Sequence, residues 1–131
     1  MRITKFITVF LTALFIGIVL VERIPGVLES TGTPYESLMF GLFKISLLDD
    51  ITHGISGIFG LVSLLLGYRW TVNFLLLIGG YYSLDALFYI VNGVVTGQDL
   101  ISNIMLNGPH IGITILVILA LRKSIKHIEL L

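Results

Sequence analysis

The stretch LLDDITHGISG (residues 47–57) sets two carboxylates and an imidazole at the start of an apolar run that continues as IFGLVSLLL (residues 58–66). Read as a helix, Asp50, His53, Gly57, Gly60 and Leu64 fall at i, i+3, i+7, i+10 and i+14 and share one face. Small residues on such a face let a neighbouring helix approach closely, as in membrane helix pairs. The stretch therefore reads as the polar doorway of a membrane span.

Composition agrees with that reading. The 131 residues are 56% hydrophobic and 12% charged, about half the charged share of a soluble domain, which is roughly 25%. With no Cys, the chain offers no disulfide, thiolate metal site or cysteine nucleophile. A formal net charge of zero gives no pull toward nucleic acid. The opening MRITKFITVFLTALFIGIVLVERIPG has a basic start and an apolar stretch like a signal peptide. However, Glu22, Arg23 and Pro25 follow where a small-residue cleavage site is needed, so it reads as an uncleaved span.

Four segments suit a hydrocarbon core about 30 Å thick, which takes roughly 17 to 25 helical residues. They cover about residues 3–24, 50–66, 71–91 and 107–121 of a single domain spanning 1–131. Lipid supplies no hydrogen bonds to the backbone, so the spans are expected to be helical. The expected fold is all-α: an integral membrane four-helix bundle. With four spans the termini share a side with the turn around Tyr68, Arg69 and Trp70. That side holds Arg2, Lys5, Arg69, Arg122, Lys123 and Lys126, six of the eight basic residues. The positive-inside rule then places both termini in the cytoplasm of a multi-pass cell-membrane protein, with Trp70 and Tyr68 as interface anchors. His127, in the basic tail, is expected to be solvated. The outer loop, residues 25–49, opens with turn-formers. Its second part, YESLMFGLFKISL, suits either a short interfacial helix over 35–47 or an ordered loop packed on the bundle.

The chain also matches itself at a shift of 57 residues. DDITHGISG falls on LNGPHIGIT, setting Asp50 against Asn107 and His53 against His110. Spans two and four run in the same direction, so the pattern predicts two tandem helical hairpins forming an internal repeat. On these residues the region from 50 to 121 resembles a group of four-span bacterial membrane proteins defined only as a domain of unknown function. His53, Gly57, Gly60, His110 and Gly112 are its most specific points. The resemblance implies the fold and no activity. DoxX-like proteins share the architecture alone.

The remaining polar residues point to one layer. Tyr81, Tyr82, Asp85, Tyr89 and Asn92 stripe span three, and Thr8, Thr12, Phe15, Val19 and Glu22 share a face of span one. At about 1.5 Å per residue, Asp85 lies about 10 Å, and His53 and His110 about 5 Å, below the outer span ends. An Asp within a span is costly, at least about 2.5 kcal/mol, and normally finds an interior partner. In the structural reading, Asp50 and Asn107 are N-caps, Pro109 fits a first helical turn, and the histidines bond Asp85, a tyrosine or each other. Three functional readings compete with it. His53, His110 and Asp85 hold a divalent metal, with Asp50, Asn107 and Glu22 behind them. Alternatively, His53 and His110 are axial ligands of a haem, with Gly54, Gly57 and Gly112 making room. Or the layer is a proton or ion path centred on Asp85. No HExxH and no Gly-rich phosphate loop occurs. The expected function is a small non-enzymatic membrane protein without a cofactor, its Asp/His layer holding the bundle together. Its expected partners are the bilayer and either further copies of itself or a larger membrane complex.

Overall fold

The computed structural model describes residues 2–32 and 36–128. In chain order these form α1 (Arg2–Val21), β1 (Leu28–Ser30), β2 (Glu36–Met39), β3 (Phe43–Ser46), α2 (Leu47–Leu66), α3 (Tyr68–Val95), α4 (Leu100–Leu106) and α5 (Gly108–Ile128). The fold is mostly helical, as expected, but the small sheet means that it is not all-α. By length and hydropathy, α1, α2 and α3 each suffice to cross a membrane, and α4 with α5 does so as a pair bent by 62°.

The helix ends have local causes. The last turn of α1 tightens, with Arg23 N–H bonding Leu20 O and Ile24 N–H bonding Val21 O, just before Pro25. The helix α1 thus ends at Val21, leaving Glu22 beyond its last turn. A single residue, Gly67, joins α2 to α3 at φ 101°, backbone that a side chain would strain. Before the last span the chain adds α4, which the sequence reading did not anticipate, and turns at Asn107.

The segment between α1 and α2 forms a three-stranded antiparallel sheet in the order β1-β2-β3, which corrects the interfacial helix expected over 35–47 (Tyr35 lies outside the described residues). The apolar spacing of Leu38, Leu42 and Ile45 fits a helix, but Phe40 and Gly41 both take positive φ, 54° and 65°, and reverse the chain. Leu42 N–H closes that turn on Met39 O at 3.1 Å, which is hairpin geometry. The Glu36–Lys44 pair, 2.9 Å, crosses it. Glu36 lifts the Lys44 ammonium above its usual range by hydrogen bonding and charge.

The apolar core belongs to α1, α3 and α5, with Leu11, Phe15, Phe74, Leu75, Tyr82 and Val117 at its centre. α2 adds to it only half-buried Phe59, edge-on to Phe74 at 5.6 Å. Its buried residues are His53, Ser56, Gly57, Gly60 and Ser63, while Ile51, Ile55, Ile58, Leu61 and Leu65 face outward. Such an inverted helix is intelligible only where the surroundings are as apolar as leucine and helices associate by close packing and polar contacts. A Cβ on Gly57 would meet Ile16 Cγ1 at 2.7 Å, and one on Gly60 would strike Thr12 Oγ1. These two glycines are what let α1 and α2 touch.

Candidate functional site

The doorway residues 47–57 sit where β3 runs directly into α2. Ser46 caps the helix: Asp49 N–H donates to Ser46 Oγ at 3.2 Å, and Ser46 N–H donates to Asp49 Oδ2 at 2.9 Å. This reciprocal capping box satisfies two otherwise orphaned backbone donors. Ser46, not Asp50, is therefore the N-cap. Asp50 lies four residues past that cap, where its Oδ2 accepts from Arg23 at 2.6 Å, tying the end of α1 to the start of α2. Buried Glu22 packs its carboxyl against Asp50. Burial, then the hydrogen bond and charge of Asp50, push Glu22 up to about 7.

Asn107 does not cap α5 with its side chain either. Its amide donates to Asn103 Oδ1 at 2.7 Å and Asn103 O at 3.0 Å. Asn103, fully buried, donates in turn to Ile90 O at 2.9 Å, stapling the α4–α5 elbow to α3. Asp99 caps α4, and the hydrogen bonds from Ser102 hold its carboxyl below the usual range.

Below these ends lies the Asp/His layer. His110 Nδ1 stands 2.8 Å from Asp85 Oδ2, with both side chains about three-quarters covered; the oxygen lies off the line of the ring N–H. His53 is more deeply buried, at 8% exposure. The four rings His53, Phe15, Tyr82 and His110 follow one another at centroid distances of 6.0, 5.3 and 5.3 Å. Phe15 is nearly parallel to both His53 and Tyr82, at 21° and 14°. Tyr89 also approaches His110, at 6.4 Å. Asp49 lies within electrostatic reach of Glu22, His53 and Asp85.

The layer thus brings Asp85 and His110 together and sets His53 apart behind Phe15. Among the described residues no three His, Asp or Glu side chains converge as a metal cage. Between the two imidazoles the ring contacts run through Phe15 and Tyr82, and a Cβ on Gly57 would meet Ile16. Around Gly54 and Gly112 the space is open. Chemically the layer can exchange protons and bind across helices. No family model matches the chain, no curated protein is similar to it, and no solved structure resembles it.

Sequence reasoning missed Arg23 as the partner of Asp50, and Phe15 and Tyr82 as the spacers between the histidines. The capping box was legible as Ser-x-x-Asp ahead of an apolar run. The ring order had no sequence signal, since it depends on how three helices rotate against one another. The His127 side chain lies outside the described ones.

Proposed function

We propose that the chain is a four-span integral membrane protein with cytoplasmic termini, in which outer-leaflet acid–base contacts fasten the helices into one unit. α4 and α5 together serve as the fourth span. The carrying observation is the use made of the charged layer: Asp85 is matched by His110 across α3 and α5, and Asp50 by Arg23 across α1 and α2. Each contact joins elements that no short connection otherwise holds at that level. The paired Asp50/His53 and Asn107/His110 motifs then mark the matching starts of two tandem hairpins. The protein acts as a scaffold or subunit, in self-association or beside a larger membrane partner. Gly57 and Gly60 are used within the chain, so such association runs through the outward apolar faces.

Electronic absorption and elemental analysis of the purified protein test the choice against a cofactor protein. We expect no Soret band and substoichiometric metal. A stoichiometric haem or metal, lost in His53→Ala and His110→Ala, contradicts the scaffold reading.

A further inference from the structure

The interior of the α1–α2 pair holds a line of polar groups running the length of the spans, while their outer faces are apolar. At the outer end stand Glu22 and Asp50. One turn in is His53, then Ser56, which neighbours the Tyr82 hydroxyl. Next comes Thr12, whose hydroxyl abuts Gly60, then Ser63. Along α2, Asp50 to Ser63 covers about 20 Å at about 1.5 Å per residue. Thr71 Oγ1 reaches Ser63 O at 3.4 Å and lines a cavity of about 200 Å³ with Arg2, Lys5 and Tyr68. Each of the interior groups is at least nine-tenths buried: His53 8% exposed, Ser56 5%, Thr12 5% and Ser63 0%.

Serine and threonine inside membrane helices ordinarily bond back to their own helix, as Thr8 does to Thr4 O and Ser124 does to Ala120 O. Three groups of this line do not. His53 Nδ1, Thr12 Oγ1 and Ser63 Oγ have no hydrogen-bond partner among the described residues. Leaving one such group unsatisfied costs about 1–3 kcal/mol, so three on one seam, with Ser56 between the first two, call for a polar occupant. Between the Gly57–Ile16 and Gly60–Thr12 contacts such an occupant is at most a single water at each level, which needs two to four polar partners.

We propose that this seam is a proton path joining the Glu22–Asp50 carboxyl pair to the Thr71 cavity at the opposite end. A proton taken up by the carboxyl pair passes to His53. It then moves along Ser56, Thr12 and Ser63 through single waters between hydroxyls about one helical turn apart. Each member accepts one proton as it releases another, so only O–H and N–H bonds change and one positive charge moves per transfer. The gradient across the membrane supplies the driving force. The path goes beyond the scaffold reading and rests only on its membrane-spanning part.

The full chain in liposomes loaded with a pH-sensitive dye tests it, under an imposed pH gradient with valinomycin and potassium carrying the compensating charge. We expect the gradient to collapse several-fold faster than in protein-free vesicles. Thr12→Val, which keeps the side-chain shape, and His53→Phe should return the rate to the protein-free baseline. Thr52→Val, outside the seam on the same helix, should leave it unchanged. Protease protection and circular dichroism report insertion and folding for each variant. An inserted, folded wild-type chain that leaks no faster than empty vesicles overturns the path alone, whereas a chain that fails to insert overturns the spanning reading with it. Loss of flux in Asp85→Asn with retention in Thr12→Val also overturns it, because the route then runs along α3.

Discussion

Asp85 and His110 meet at 2.8 Å across α3 and α5, each about three-quarters covered by its neighbours. Neither residue has another acid or base as close among the described residues, so the contact behaves as a pair. Interhelical polar contacts in membrane bundles average about 0.6 kcal/mol and reach about 1.7 kcal/mol. We expect Asp85→Ala and His110→Ala each to lower unfolding stability in detergent by about 1 kcal/mol. The double variant should lose little more than either single one, giving a clear coupling in a double-mutant cycle. Additive losses would show that the two side chains act independently.

Two glycines six residues apart on α2 should respond in opposite ways. At Gly60 a Cβ strikes Thr12 Oγ1 and comes within 3.1 Å of Phe74 Cζ, whereas at Gly54 nothing lies within 4 Å. Overpacking of this kind costs about 1–3 kcal/mol, and Gly→Ala in an open helix position gains up to about 1 kcal/mol. Thermal unfolding in detergent should therefore fall for Gly60→Ala and hold or rise for Gly54→Ala. The reverse order would mean that α1 and α2 do not pack along this seam.

Glu22 gives the stability a pH dependence of known sign. Burial and the adjoining Asp50 carboxyl raise it from 4.5 to about 7. Between those values the folded chain holds a proton that the unfolded chain has released, so its contribution is fully present below 4.5 and is lost as pH rises through 7. Melting temperature should drop across that window in the wild type. Glu22→Gln, which keeps the neutral shape, should flatten the profile. A wild-type stability that climbs from acid to neutral pH would contradict the assignment.

How much of this was legible in the sequence depends on the range of the interaction. The spans were readable because lipid imposes a length and a composition that no folding detail alters. The shared face of Asp50, His53, Gly57 and Gly60 followed from helical periodicity, and His53, Gly57 and Gly60 do face inward. Residues 36–46 misled because an apolar spacing near 3.6 can also be met by a hairpin whose turn takes two left-handed residues. Only Gly41 advertised that turn; Phe40 did not. Asp50 and Asn107 looked like caps, yet Ser46 had the better position at one site, and Asn103 drew the Asn107 amide at the other. The partner of Asp85 was among those named beforehand, but the separation of His53 from His110 by Phe15 was set by helix rotation, which no local pattern encodes.

The account depends above all on where the helix ends lie across the bilayer. Because the chain has no native Cys, single cysteines report cleanly on their own positions. Intact cells expressing Glu29→Cys, Gln98→Cys, Arg69→Cys or Arg122→Cys should be labelled with a membrane-impermeant maleimide. Four spans with cytoplasmic termini predict outside labelling of the first two, and of the last two only after the membrane is opened. Labelling of Gln98→Cys and Arg122→Cys from the same side would mean that α4 and α5 do not cross, and the four-span account would fail.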